Sequence, residues 1–300
     1  MSETTNQDLG GVAETLLMTL YIRAMESQRP DALIKDEKAV ALVTQMSYDF
    51  DRVRQVHMDE EDKVTVILRN REFDRYARDF LARHPEAVVV HIGCGLDSRF
   101  ERVDNGEVEW YDLDLPEVIE LRRKLIGGEG KRYHLLGCSA FDSAWLDAVG
   151  AHRPRPFLFM AEGVLMYFEE AQVKSLVLML RDRFPGAELV IDAFSPFLIR
   201  ANNLRLSITK FGARYHWGLK RGQELERWGD GIHLLDEWGT LTGLSRGWIT
   251  FDGCGTFRSW LGSCAFTTTV LERQQGEKTF CEQRGGRHVR DCEPRTERRG

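Results

Sequence analysis

The sequence predicts a doubly wound, mostly parallel α/β sheet. Short, apolar, β-branched runs of strand length recur from residue 87 onward, and amphipathic stretches with helical spacing lie between them. Such alternation is typical of right-handed β–α–β units, in which consecutive strands lie side by side in one sheet. We therefore expect a single sheet with helices packed on both of its faces.

The region before the first strand has a helical pattern. Apolar residues recur at helical spacing over residues 16–25 and 40–46, and a third helix is predicted over residues 72–83, before Pro85. No segment here has the character of a strand. We expect residues 1–84 to form a helical cap on the sheet.

Five runs after this region are predicted to be buried strands. They lie at residues 87–92, 108–113, 133–136, 157–160 and 188–191. Pro116 follows the second run and suits the first turn of a helix, where its missing N–H leaves no hydrogen bond unmade. A further helix is predicted over residues 169–183, where apolar side chains recur three and four positions apart.

The pattern loosens after Ser195. Residues 198–210 and 234–241 favour helices, whereas residues 247–251 and 264–271 favour strands. We expect the core domain to span residues 85–271. Residues 272–300 are charged and rich in arginine, so they are predicted to form a disordered tail.

Composition narrows the class of protein. The 300 residues carry a formal net charge of −6, which argues against nucleic acid as the main partner. No signal peptide and no apolar run long enough to cross a membrane is evident. The six cysteines form no CxxC pair, so we expect free thiols, no metal site and a cytoplasmic protein.

A glycine turn follows the first predicted strand. Gly93 and Gly95 flank Cys94, and two glycines so placed permit a tight turn and close approach of the backbone to a ligand. Taken alone, this motif fits an ordinary turn equally well.

Polar residues at the ends of the next strands strengthen the case for a nucleoside site. Asp112 and Asp114 end the second strand, about 20 residues after the glycines, where a carboxylate accepts hydrogen bonds from ribose hydroxyls. Ser139 and Ala140 follow the third strand, at a position suited to adenine. Glu162 follows the fourth strand, where a carboxylate suits a cationic methionine group.

The same turn argues against a dinucleotide. A dinucleotide site needs a third glycine and a helix start that is free to receive a diphosphate. Here Ser98 replaces that glycine, and the carboxylate of Asp97 would repel a diphosphate but tolerate a sulfonium ligand. Asp97 is therefore also a predicted contact of the cofactor. S-adenosylmethionine, a cation without phosphate, is the predicted cofactor. A dinucleotide-dependent oxidoreductase and a non-catalytic binding protein of the same fold are the alternatives.

Four motifs in this order resemble the leucine carboxyl methyltransferase family, which includes the TcmP-type polyketide O-methyltransferases. They are RNREFD (69–74), GCGLDSRF (93–100), DLDLP (112–116) and AEGVLMYF (161–168). The resemblance extends over residues 69–194. It implies a seven-stranded class I methyltransferase sheet with N-terminal helices that form a lid over the donor.

The resemblance also implies roles for single residues. Arg69, with Arg71 as the second choice, would bind the methionine carboxylate, and Glu162 would lie beside the methionine amine. Gly93 would face the donor, and Asp114 would bind the ribose. Contacts from Ser139 and Ala140 to adenine are implied more weakly, because many family members carry Asp at the first of these positions.

The acceptor is predicted to be a small metabolite with a carboxylate or a phenolic hydroxyl. A carboxylate needs no base, whereas a phenol benefits from one. Tyr167 and His216 are the catalytic candidates, and His233 is a further histidine on the acceptor side. Packed or solvent-exposed histidines would explain His216 and His233 equally well. Four aromatic residues suit either an acceptor pocket or the core: Phe194, Phe197, Tyr215 and Trp217. The sequence leaves the oligomeric state open.

Overall fold

Seven strands form one sheet in the computed structural model, which describes residues 11–46, 48, 50, 60–209, 214–239 and 264–271. The strands are β1 (Val88–Ile92), β2 (Glu109–Asp114), β3 (Tyr133–Gly137), β4 (Phe157–Ala161), β5 (Ala187–Phe194), β6 (Ile232–Gly239) and β7 (Cys264–Leu271). The helices are α1 (Gly11–Ser27), α2 (Glu37–Gln45), α3 (Glu60–Arg83), α4 (Arg99–Val103), α5 (Pro116–Leu125), α6 (Ala144–Gly150), α7 (Glu170–Arg183) and α8 (Pro196–Thr209). The described residues also include two 3₁₀ helices, Leu165–Tyr167 and Gly222–Trp228.

The sheet has the order β3-β2-β1-β4-β5-β7-β6. Its first five strands pair in parallel, whereas β7 runs antiparallel to both β5 and β6. The predicted doubly wound, mostly parallel sheet is confirmed. The order of the strands reverses between β1 and β4, so the crevice at their carboxyl ends is where a ligand is expected.

Both faces of the central strands are buried, as their continuous apolar sequences predict. Val88, Val90 and Ile92 of β1 pack in one core cluster, and Val89 packs in the other with Ala87 just before the strand. Alternate side chains of a strand point to opposite faces. Helices must therefore cover both faces, and α3 covers one of them with buried aromatic side chains such as Phe73.

The first two helices pack over the loop that follows β1. Leu17 and Leu20 of α1 and Leu42 of α2 form a small core with Leu96 and Ile126. The helical character predicted for this region is confirmed. Helix α3 begins at Glu60, twelve residues before the predicted start, because polar side chains on its first turns mask the apolar spacing.

One predicted element is wrong. Residues 234–241 were expected to be helical, but residues 232–239 form β6 at the edge of the sheet. Seven of its eight residues, from His233 to Gly239, are partly or fully exposed. It pairs with β7, more than twenty residues further along the chain, so its local pattern carries little strand signal.

Two other predictions lie outside the described residues, the strand at residues 247–251 and the tail at residues 272–300. Among the helices that the structure describes, none combines the length and apolar character needed to cross a membrane.

Candidate functional site

The turn after β1 requires glycine at both predicted positions. Gly93 and Gly95 adopt φ values of +68° and +51°. Residues other than glycine rarely adopt positive φ values of this kind. A Cβ atom on Gly93 would lie 2.7 Å from Val164, and one on Gly95 would lie 2.6 Å from Leu16 of α1. The turn is therefore closely covered by the loop after β4 and by the first helix.

Asp114 lies beside this turn at the end of β2. Its Oδ2 accepts a hydrogen bond from the N–H of Gly95 at 2.8 Å, and its Oδ1 accepts one from the N–H of Leu115 at 2.8 Å. The residue is partly exposed at the end of the strand. Burial raises the pKa of Asp114, against the effect of these two N–H groups. The carboxylate lies where the sequence predicted the ribose contact.

Asp112 has different surroundings. It is 1% exposed, and its carboxylate pairs with Arg122 and accepts hydrogen bonds from Trp110 and Tyr133. Its oxygen atoms are thus used inside the protein. Of the two acidic residues predicted for the ribose, Asp114 is partly exposed at the strand end and Asp112 is buried.

Ser139 and Ala140 lie just after β3, next to the end of β2. The N–H of Cys138 donates to the backbone carbonyl oxygen of Asp114 at 2.9 Å, which places the start of this loop beside the end of β2. Ser139 is exposed and Ala140 is half-buried. Phe141, the next residue, packs edge-on against Phe168 from the loop after β4, with ring centroids 4.8 Å apart.

Arg69 lies between two buried carboxylates at the ends of β4 and β5. Its Nε donates to Glu162 Oε1 at 2.9 Å, and its Nη1 donates to Asp192 Oδ2 at 3.1 Å. Asp192 also accepts the N–H of Gly163 at 2.8 Å. The structure therefore brings together Arg69 and Glu162, which the sequence predicted, and adds Asp192, which it did not.

The other two predicted donor contacts lie elsewhere. Arg71 is 38% exposed at its side chain and lies 3.5 Å from Glu72 on the same helix. Asp97 is buried, where it accepts hydrogen bonds from Asn70 at 3.1 Å and from Arg102 at 2.8 Å. Although burial opposes ionisation, Arg102 and Arg99 hold the pKa of Asp97 well below its usual range.

Asp97 belongs to a set of buried charges that we call the charged network. It consists of four arginines and five acidic residues whose side chains are at most 12% exposed. The members are Arg23, Asp36, Arg69, Asp74, Asp97, Arg99, Arg102, Glu162 and Asp192.

The charged network ties the N-terminal helices to the glycine turn. Arg23 of α1 donates to Asp36 at 3.0 Å and to the carbonyl oxygen of Leu96 at 2.8 Å, and Ser98 donates to Asp36 at 2.6 Å. Arg99 of α4 is fully buried and links Glu162 to Asp74 and Asp97.

Aromatic side chains gather near the carboxyl ends of β4 and β5. The ring of Tyr215 lies 5.2 Å from that of Tyr167 and 5.4 Å from that of Phe194 at the end of β5. Burial, followed by the neighbouring Tyr215, raises the pKa of Tyr167. Tyr167 is therefore a protonated hydrogen-bond donor at neutral pH rather than a ready base.

His216 pairs with a carboxylate next to this aromatic group. Its Nδ1 lies 2.7 Å from Glu169 Oε1, and its backbone N–H donates to the carbonyl oxygen of Met166 at 2.7 Å. A carboxylate beside Nδ1 favours the proton on that nitrogen, which leaves Nε2 as the proton acceptor.

The remaining acceptor-side candidates are dispersed. Trp217 is buried in the core against Trp228, Phe197 is 57% exposed on α8, and His233 lies in the edge strand β6. Within the described ranges, no group of three or more His, Cys, Asp or Glu side chains is arranged to hold a metal ion.

The fold and these residues define a class of protein. A parallel sheet with a glycine turn after β1, a carboxylate at the end of β2 and a charged cluster after β4 is typical of an α/β protein that binds a nucleoside. The chemistry of these groups fits S-adenosylmethionine, since its ribose, ammonium and carboxylate each find a group of complementary character.

Comparisons with known proteins identify the family. A family model described as leucine carboxyl methyltransferase matches residues 16–180. The tetracenomycin polyketide synthesis O-methyltransferase TcmP of Streptomyces glaucescens is 37% identical over 80% of this chain and 87% of its own length. The S-adenosyl-L-methionine-dependent methyltransferase dpfgK of Gibberella zeae is 29% identical over 80% of this chain and 88% of its own length. This chain belongs to the leucine carboxyl methyltransferase family.

A solved structure supports the fold. A proposed methyltransferase from Thermobifida fusca superposes with a TM-score of 0.54 at 17% identity, over 86% of this chain and 94% of its own. The chain is therefore an S-adenosylmethionine-dependent methyltransferase, and the oxidoreductase alternative is set aside.

Proposed function

We propose that the protein transfers a methyl group to an oxygen atom of a small, polyketide-like metabolite, either a phenolic hydroxyl or a carboxylate. The single observation that carries the proposal is the aromatic group of Tyr167, Phe194 and Tyr215 beside Arg69, with the His216–Glu169 pair at its edge. Flat aromatic rings suit an aromatic acceptor. The likeness to TcmP, a polyketide O-methyltransferase by name, supports the same class.

The donor would lie across the carboxyl ends of β1, β2 and β4. S-adenosylmethionine supplies a methyl group on a positively charged sulfur that is already activated for displacement. In this proposal Asp114 accepts from the ribose, Gly93 and Gly95 allow close approach, and Ser139 and Ala140 flank the adenine. Arg69 binds the methionine carboxylate and Glu162 the amine. Asp97 and Asp112 support the turn and strand from inside the protein.

The N-terminal helices would act as a lid. Leu16 of α1 lies against the Gly95 turn, and Arg23 holds the loop carbonyl of Leu96. These contacts close the turn from the solvent side. Exclusion of water favours a reaction in which charge is lost between the two reacting groups.

His216 is the proposed base for a phenolic acceptor. Glu169 orients the ring, so Nε2 takes the phenol proton and the oxygen becomes a better nucleophile. A carboxylate acceptor, already ionised at neutral pH, would not use this step.

Matched acceptors test the proposal. Purified protein is incubated with donor and with aromatic compounds that carry either a phenol or a carboxylate on the same ring system. An O-methylated product is expected, and His216→Gln should slow phenol methylation about 10²-fold or more while it spares carboxylate methylation. His233→Gln is the matched control. Absence of any O-methylated product across the panel, with donor binding intact, would contradict the proposed acceptor class.

A further inference from the structure

Asp192 is the least compensated carboxylate of the charged network. Glu162 has two arginine partners, because both Arg69 and Arg99 donate to it. Asp192 shares Arg69 with Glu162 and has no second arginine partner among the described residues; it otherwise accepts from backbone N–H groups, that of Gly163 and its own. It is 1% exposed, so water does not stabilise its charge.

The count of positive and negative charges in the whole charged network leads to the same conclusion. Four arginines face five carboxylates in its buried part. Arg78 approaches Asp74 at 3.6 Å but is 52% exposed, and its charge is therefore screened by solvent. His91 accepts from Arg99 at Nε2 and adds no charge in that state. One negative charge is left over.

We propose that Asp192 selects the positively charged methyl donor over its neutral-sulfur product. The inference rests on the proposed placement of the donor beside Arg69 and Glu162. S-adenosylmethionine carries one more positive charge than S-adenosylhomocysteine, because methyl transfer turns the sulfonium into a thioether. An uncompensated buried carboxylate nearby stabilises the first and has no such effect on the second.

The directions of the pKa shifts support the assignment. Burial raises the pKa of Asp192 more than Arg69 and the Gly163 N–H lower it, and Glu162 raises it further. At Glu162 the opposite holds, since Arg99 and Arg69 outweigh burial and lower its pKa. The least stabilised negative charge is therefore that of Asp192, which shares Arg69 with Glu162.

Binding measurements on purified protein test the proposal without turnover. The dissociation constants of S-adenosylmethionine, S-adenosylhomocysteine and sinefungin, which carries an amino group in place of the sulfonium, are measured by calorimetry. Asp192→Asn should weaken the two cationic ligands about tenfold and the neutral-sulfur product less than about twofold. Asp182→Asn, at a carboxylate 59% exposed on α7, is the matched control and should change none of them.

Equal weakening of all three ligands would overturn the proposal, since it would mean that Asp192 only positions Arg69. A ratio of the dissociation constants of S-adenosylmethionine and S-adenosylhomocysteine that is the same in Asp192→Asn as in the wild type would overturn it as well. Asp114→Ala separates this failure from a failure of the donor site, because the ribose is common to donor and product. If Asp114→Ala alters none of the three affinities, the placement of the donor itself is wrong.

A pH series on the wild-type protein gives a test that needs no variant at Asp192. As pH falls through the raised pKa of Asp192, its charge is lost, and the preference for S-adenosylmethionine over S-adenosylhomocysteine should fall with it. Protonation of Asp114 affects both ligands alike and cancels in the ratio. A ratio that stays constant over this acidic range would refute the role of Asp192.

Discussion

Arg122 of α5 and Asp112 of β2 form an ion pair in which the side chains are 0% and 1% exposed. Tyr133 of β3 donates to the same carboxylate, and Arg122 also donates to the carbonyl oxygen of Gly95 at 2.8 Å. The pair thus connects a helix, two strands and the glycine turn. A buried ion pair of this kind costs most when one partner is removed.

Arg122→Met should destabilise the protein by about 3–5 kcal/mol, because it leaves the Asp112 carboxylate buried without its cation. Urea unfolding followed by circular dichroism measures the loss. The neighbouring Arg123 pairs with Glu120 at the surface, with side chains 39% and 61% exposed. Arg123→Met should change stability by less than about 0.5 kcal/mol. Equal effects of the two substitutions would contradict the structural role of the buried pair.

Gly93→Ala should destabilise the protein more than Gly106→Ala. Both residues have positive φ, +68° and +87°, so both substitutions introduce backbone strain of about 1–3 kcal/mol. Only Gly93 also has a neighbour in the way, Val164 at 2.7 Å from the new Cβ, whereas Gly106 has nothing within 4 Å. Thermal unfolding of the two variants measures the difference. Equal melting temperatures would show that Val164 moves aside freely.

Asp114→Ala should weaken donor binding by about 1–3 kcal/mol, the range for a hydrogen bond to a charged group. Calorimetry with S-adenosylhomocysteine measures it. Glu117→Ala, an exposed acidic residue on the next helix, is the control and should leave the affinity unchanged. Wild-type affinity in Asp114→Ala, with the fold intact, would remove this residue from the site.

Arg69→Lys should weaken donor binding, whereas Arg71→Lys should not. The planar guanidinium of Arg69 contacts Glu162 and Asp192 at once, and a lysine ammonium cannot reproduce that fork. Arg71 lies 38% exposed beside Glu72, away from both carboxylates. Fluorescence or calorimetric titration of the two variants decides between them. A larger effect at Arg71 would reverse the assignment.

Stability should fall as pH decreases through the ordinary range of carboxylate titration. Arginines lower the pKa values of Asp74, Asp97 and Glu162 in the folded protein, against the opposing effect of burial. Below about pH 4 these carboxylates therefore bind protons in the unfolded chain while they remain ionised in the folded protein, and the free energy of unfolding decreases. Asp192, whose raised pKa acts in the opposite sense, offsets only part of this loss.

Melting temperature measured against pH checks this expectation. Asp97→Asn should give a shallower acid limb than the wild type, because one of the lowered carboxylates is gone. An identical slope would mean that Asp97 does not contribute to acid unfolding.

The sheet could be predicted because its strands are locally distinctive. Continuous apolar runs such as Phe157–Ala161 are fully buried. Their apolar sequence alone therefore predicts a buried strand. The edge strand Ile232–Gly239 could not be predicted, since it is mostly exposed and depends on a partner far along the chain. The turn glycines and Asp114 were predictable from their position at strand ends.

The charged network was not predictable, because its contacts join distant parts of the sequence. Arg102 reaches Asp36 across 66 positions, and Arg69 reaches Asp192 across 123. No local spacing distinguishes these residues from ordinary surface charges. Asp192 in particular lies near the end of β5, where the sequence shows only an apolar run followed by one carboxylate.

The bond from Arg23 to the carbonyl oxygen of Leu96 limits how this enzyme can be recombined with its relatives. A chimera in which α1 and α2 come from a relative would have, on those helices, side chains that fit the glycine turn of the relative. Unless the incoming segment brings counterparts of Arg23 and Asp36, Arg102 and Ser98 would lose the partner that they share. The first two helices and the glycine turn should therefore come from the same parent protein, and a chimera should not be joined between them.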